Sequence, residues 1–234
     1  MILGVPTGGS PKIGFYDASM RDMKMGLFKN WITASGIYLE NNRNNLVANF
    51  LKGFPEEQWL CQIDDDIYWD AVVIPYLMEQ AKGKGESYDK PEHLVIFPDV
   101  SLGAAPTSAH TWNGRDFVPL WPHPSKEPFL CDGMAGAFML VHRDVYEMLP
   151  EWSWFERRNV NGARAGEDLS FCYLLRERGI KCLCVPGLPL LHFRVTPIIS
   201  PLISIPTAEE QARDNVLPFK KKSVVVGPDG KPMS

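Results

Sequence analysis

Three consecutive carboxylates, Asp64-Asp65-Asp66, stand directly behind the mostly apolar run Trp59-Leu60-Cys61-Gln62-Ile63. Adjacent acids repel, so a fold that gathers them at a strand end must offset the cost with a cation, a hydrogen-bonding turn or open solvent. A hard divalent ion is one answer: Mg2+ or Mn2+ takes oxygen ligands, keeps several waters, and commonly shares one or two carboxylates with a substrate's phosphates. The other answer is an Asx-rich turn that ends the strand and caps the next helix.

A second acidic pair opens the best-formed helix of the chain. Gly166-Glu167-Asp168 leads into Leu169, Cys172, Leu175 and Arg176 at 3.6-residue spacing, and Gly179 stops the run. Acids in a first turn suit the helix dipole, and an aspartate there behind a glycine loop is equally a platform for a general base. His192, set among Leu190, Leu191 and Phe193, reads either as a satisfied core histidine or as a ligand. Arg43 opens an expected helix just after a strand end. Its guanidinium then faces the acidic rim to bond a phosphate, pairs with one of the three aspartates, or lies on the surface. In Gly133-Met134-Ala135-Gly136-Ala137 the small side chains let a ligand approach the backbone.

The elements that must position these groups alternate. Ile2 to Val5 reads as a buried strand, and Pro6-Thr7-Gly8-Gly9-Ser10 as a turn suited to a nucleotide, without the dinucleotide fingerprint or the phosphate-loop lysine. Met20 to Ile32 carries Met20, Met23, Leu27 and Trp31 at helical spacing. A strand is expected over Gly36 to Leu39, a helix over Asn42 to Leu51, the strand before the acids, a helix over Asp70 to Ala81 that Pro75 would kink, and a strand over His93 to Phe97. Such alternation implies a mostly parallel sheet with helices on both faces, read as one domain over residues 1–195. In open sheets of this kind ligands bind beyond the carboxyl ends of the strands, where the acids fall.

Residues 98–130 break the pattern. They are rich in proline, hold Trp112, Trp121, His110 and His123, and read as a long irregular insertion that either contacts an acceptor on its side of a site or packs its own tryptophans against the sheet. Strands follow at Phe138 to Val141, Lys181 to Val185 and Leu190 to Phe193, with a short helix from Arg143. A tail over 196–234 carries one short helix from Thr207, capped with Glu210, and a disordered end.

The 234 residues are 45% hydrophobic with a net charge of -4, which argues against a general electrostatic grip on nucleic acid while leaving a local basic patch open. Met1 runs straight into Ile2-Leu3-Gly4-Val5 with no basic leader and no spanning apolar stretch, so a soluble cytoplasmic protein is expected. The five cysteines lie in apolar patterns and read as buried reduced thiols.

In order, these features resemble the glycosyltransferase-A fold, specifically small family-2-like inverting transferases of phage type, from about Ile2 to Phe193. The resemblance implies a single α/β domain with a mostly parallel sheet, flanking helices and a short antiparallel portion. It makes Asp64-Asp65-Asp66 a DxD motif, with Asp66 and the late-strand His192 on Mn2+ or Mg2+ and Asp64 and Asp65 nearer a nucleotide-diphosphate sugar. Glu167-Asp168 matches the family's Glu-Asp helix start, with Asp168 the catalytic base and Glu167 on the donor side. Pro6, Thr7, Arg43 and Gly136 fall among the donor contacts. The Gln-x-x-Arg-Trp motif of processive synthases is missing, so transfer of one sugar is implied. The acceptor stays open among a hydroxylated base of phage DNA, a protein and a glycan, with no membrane partner. Two other readings stand beside it: a sugar-nucleotide pyrophosphorylase or other nucleotidyltransferase, which lacks its glycine-rich lysine loop here, and a noncatalytic nucleotide-sugar-binding virion module.

Overall fold

In the computed structural model, which describes residues 1–9, 11–100 and 107–193, strand and helix alternate from the first residues. Ile2–Thr7 (β1), Ile13–Lys24 (α1), Asn30–Ser35 (β2), Leu39–Gly53 (α2), Trp59–Ile63 (β3), Ile67–Trp69 (β4), Val73–Lys82 (α3) and Val95–Pro98 (β5) form the first half. Then come Ala109–Trp112 (β6), Phe117–Pro119 (β7), Phe129–Cys131 (β8), Gly133–Met134 (β9), Phe138–His142 (β10) and Arg143–Met148 (α4). Asn159–Val160 (β11), Ala163–Arg164 (β12), Glu167–Glu177 (α5), Cys182–Val185 (β13) and Leu190–His192 (β14) complete the described chain. Met1–Arg194 is one compact unit; the tail and its expected helix from Thr207 lie outside the described residues.

Seven strands form the main sheet in the order β2-β1-β3-β10-β5-β13-β8. Strands β2, β1, β3, β5 and β13 run one way; β10 is antiparallel between β3 and β5, and β8 is antiparallel on the far edge. The architecture is mixed α/β, a large mostly parallel sheet flanked by helices, with a small antiparallel sheet β7-β6-β9 in which the proline-rich segment supplies β6 and β7.

The strands read as continuous apolar runs because both faces of the sheet are covered. Leu60, Met139, Val141, Cys182 and Cys184 pack with Val47 and Phe50 of α2, Tyr146 of α4 and Phe171 and Leu175 of α5. Their neighbours Cys61, Ile63, Phe138, Leu140 and Leu183 face the opposite way, against Phe15 of α1 and Val73, Ile74 and Leu77 of α3. All five thiols are free and buried.

Several boundaries differ from the sequence expectation. α1 ends at Lys24 and buries Phe15, Ala18, Ser19 and Asp22, while Met20 is exposed. Gly26, at φ 75°, breaks the apparent stripe, and Trp31 belongs to β2. A buried polar contact chooses the helix face: the Asp22 carboxylate accepts from Trp69 Nε1 at 2.7 Å and Arg21 Nε at 2.8 Å. β2 lies at 30–35 instead of 36–39 because it pairs residue for residue with β1, from Ile2 with Asn30 to Thr7 with Ser35. α2 therefore starts at Leu39, and Arg43 sits in its second turn, not at its opening. Pro75 occupies the first turn of α3, where a missing N–H costs no helical bond.

Candidate active site

Each parallel strand delivers its carboxyl end to one rim, and the acids stand there. β3 ends at Ile63, and the Asp64 N–H then donates to the Ala137 carbonyl at 2.9 Å, tying the triplet to the loop before β10. The Asp65 carbonyl accepts from Lys12 N–H at 2.8 Å, and its carboxylate accepts a hydrogen bond from the hydroxyl of Thr7, the last residue of neighbouring β1. Asp66 is reached from the other end of the chain. β14 pairs antiparallel with β4, His192 opposite Ile67, so Phe193 N–H donates to the Asp66 carbonyl at 2.8 Å and His192 Nε2 lies 3.3 Å from Asp66 Oδ2.

Arg43 rises from beneath. Its side chain is 1% exposed, and it donates from Nη2 to Asp64 Oδ1 at 2.9 Å, with Nε 3.8 Å from Glu167 Oε1 and the guanidinium 5.9 Å from the Phe155 ring. A guanidinium so buried, wedged between two carboxylates, positions those acids; of the readings the sequence left open it is the pairing with one of the three aspartates that the structure shows. Burial pushes the Asp64 carboxyl up to about 7; Arg43 opposes this, while the charges of Asp66 and Glu167 add to it. Glu167 is raised for the same leading reason, burial, with the neighbouring Asp168 charge adding and Arg43 opposing. Both shifts describe a buried acidic cleft in which one buried cation offsets only part of the cost of desolvation and repulsion.

α5 begins at Glu167 with Gly166 as its N-cap, placing Asp168 in the first turn. The Asp168 carboxylate accepts from Gly136 N–H at 3.1 Å through Oδ2 and from Leu169 N–H at 2.7 Å through Oδ1, which fixes its plane. Gly136 is where the halves meet: a Cβ there would lie 3.2 Å from Asp168 Cβ and 3.2 Å from Arg43 Nη2. Only a residue without a side chain fits between them unstrained.

A chain of contacts thus joins Asp64, Arg43, Glu167, Asp168 and Gly136, with Asp65 on Thr7 and Asp66 on His192 at its border. Pro6 is buried in β1 opposite Ala34, beside this cluster by its bond to Thr7 alone. Among the described residues no three His, Cys, Asp or Glu side chains are gathered as a ready metal cage. Asp66 Oδ2 and His192 Nε2, 3.3 Å apart, are an oxygen and an imidazole nitrogen of the kinds that Mn2+ would take as ligands.

Sequence reading missed two features. Arg157 Nη2 is 3.9 Å from Glu167 Oε2 and its Nε 3.5 Å from Glu40 Oε2, a cation at the cleft edge that the Arg157-Arg158 pair alone did not signal. At the carboxyl end of β5, Asp99 accepts from Thr107 Oγ1, Ser108 N–H and Ser108 Oγ at 2.8–2.9 Å and lies 3.2 Å from His123 Nε2. A pocket of about 430 Å³ lined by Met1, Trp59, Met78 and Tyr88 lies elsewhere, where β3 begins. A five-residue strand separates it from the acids by roughly 15 Å.

The fold and rim define an α/β protein with an acidic cleft at the carboxyl ends of its parallel strands. No family model matches the chain, and no curated protein matches it. Among solved structures it is similar to A197 from STIV, at 14% identity and a TM-score of 0.56 over 82% of this chain and 85% of that one, a likeness of fold. Weaker similarity is found to a glycosyltransferase involved in the glycosylation of the major capsid of PBCV-1, at 11% identity and a TM-score of 0.37 over 63% and 62% of the two chains. Another weak match is the inositol-1-phosphate CTP transferase from T. maritima, at 9% identity and 0.44 over 82% and 88%. Likenesses this low carry no inference about activity. No described helix is long and apolar enough to cross a membrane.

Proposed function

We propose that this protein is a metal-dependent inverting glycosyltransferase that moves one sugar from a nucleotide-diphosphate donor to an acceptor hydroxyl. One observation carries the reading: Asp168, held by the Gly136 N–H, shares a cleft with the Asp64-Asp65-Asp66 triplet through Arg43 and Glu167. Asp66 and His192 would hold Mn2+ or Mg2+, whose chemistry there is to neutralise charge on a leaving diphosphate.

The chain's own residues then divide the work. Thr7 and Arg43 orient Asp65 and Asp64 on the donor side, and Gly136, with no side chain, lets Asp168 and Arg43 close on its backbone. Asp168, its plane fixed by two N–H bonds, takes the proton of an acceptor hydroxyl as that oxygen attacks the anomeric carbon. Attack opposite the leaving diphosphate, through an oxocarbenium-like state, inverts the configuration. A carboxylate positioned as base contributes about 10²–10⁴-fold.

The test is a screen of nucleotide sugars with Mn2+, scored by donor hydrolysis without acceptor and by the anomeric configuration of any product. Asp168→Asn should abolish turnover and leave metal-dependent donor binding nearly intact, whereas Asp66→Ala should weaken donor binding itself. A retained configuration, or equal loss of binding in both variants, refutes the assignment; release of pyrophosphate would make the protein a nucleotidyltransferase.

A further inference from the structure

The proline-rich segment builds a second centre on the same rim. Asp99 follows β5 directly, and its N–H donates to the Val185 carbonyl at the end of β13 at 2.9 Å. The hydroxyls of buried Thr107 and Ser108 bind its carboxylate, and His123 Nε2 lies 3.2 Å from Asp99 Oδ2 and 3.0 Å from Thr107 Oγ1. His123 is further clamped between Phe129 and Trp121, ring centroids at 5.3 and 5.0 Å. Trp121 itself is 57% exposed. Beside this cluster lies a pocket of about 600 Å³ lined by Trp121, His123, Pro124, Lys126 and Pro186, inside the range of roughly 300–1,000 Å³ that small-molecule sites span.

We infer that this pocket is an acceptor subsite for an uncharged oligosaccharide, an inference that rests on the transferase reading above. Position along the sheet is the first reason. Thr7 on β1 and the acids behind β3 hold the donor side, Gly136 and Asp168 stand over β10, and the pocket follows over β13, two strands further from the donor. Two strand spacings of about 4.8 Å put it roughly 10 Å from Asp168, where the acceptor hydroxyl reacts, the reach of two or more linked sugar rings and too far for a single one. Chemistry is the second reason. An exposed indole edged by prolines offers an apolar face for a ring, while His123, locked by Asp99, and Lys126 offer polar groups to hydroxyls. One lysine in the wall of a protein with net charge -4 does not match a polyanion, whose binding draws on many cations.

The experiment is binding of the full-length protein to a printed array of several hundred glycans and to a 20-nucleotide single-stranded DNA, read alongside donor hydrolysis by the wild type. The inference expects binding to a neutral glycan class, about tenfold weaker in Trp121→Ala and restored in Trp121→Phe. No glycan binding, binding indifferent to Trp121, or Trp121-dependent binding of the DNA instead would each overturn it. Glycan binding without donor hydrolysis by the wild type would leave the pocket standing and remove the transferase reading; hydrolysis without glycan binding would do the reverse.

Discussion

Replacing Arg43 by Met keeps most of the volume beneath the cleft and removes its charge. The guanidinium is 1% exposed, donates to Asp64 at 2.9 Å and stands 3.8 Å from Glu167. Stripping one partner from a buried ion pair costs about 3–5 kcal/mol when the other charge must remain. Here it need not remain, because burial already pushes the Asp64 carboxyl up to about 7. Near neutral pH such a carboxyl takes up a proton for less than about 1 kcal/mol. An acid whose folded pKa exceeds its unfolded value binds more protons when native, so the stability it allows is present at low pH and lost as pH climbs from about 4 toward 7. Loss of Arg43 raises both Asp64 and Glu167 further, so the variant loses stability more steeply across neutral pH. Expected deficits are about 1–2 kcal/mol at pH 5.5, growing to about 3 kcal/mol or more at pH 8.5. Urea unfolding in chelator at pH 5.5, 7.0 and 8.5 measures this directly. A deficit that is flat with pH, or that shrinks as pH rises, would refute the claim that Arg43 serves to hold two carboxylates ionised.

Other outcomes follow from the same contacts. Gly136→Ala should lower kcat by about 10–100-fold with little loss of Tm, since its Cβ would press at 3.2 Å on Asp168 and Arg43 and displace the base by a few tenths of an ångström; unchanged kcat would dissociate Asp168 from the chemistry. Mn2+ alone should raise the Tm of the wild type, and Asp66→Ala or His192→Ala should each abolish the shift; persistence in both variants would place the ion elsewhere. Asp22→Leu should destabilise by about 1–3 kcal/mol by stranding the buried Trp69 indole N–H, an effect that denaturant titration detects and that should leave donor binding unaltered.

What could be read from residues alone was local. The run Trp59–Ile63 forms a strand because five mostly apolar residues precede a polar turn, and the acids follow at its carboxyl end. α5 begins at Glu167 and its run closes at Gly179, φ 72°, because capping and left-handed glycine act within one turn of chain. The free thiols of Cys182 and Cys184 share a face by strand alternation, as the period of two requires. None of this reveals which strands are neighbours. That β10 inserts antiparallel between β3 and β5, bringing Gly136 to Asp168, is decided by residues dozens of positions apart. The same holds for β14 on β4, which carries His192 to Asp66, and for Asp22, which is buried on the core face of α1 by its bond to Trp69 while Met20 is exposed. Asp99 is the clearest case, since neither neighbouring sequence nor periodicity marks it and its role comes from partners on other elements; for Arg43 the sequence left three readings open and burial against Asp64 chose among them. Local pattern names the candidate acids and bases, because propensity and capping are short-range; their convergence is decided by strand order and burial, which are properties of the whole packed chain.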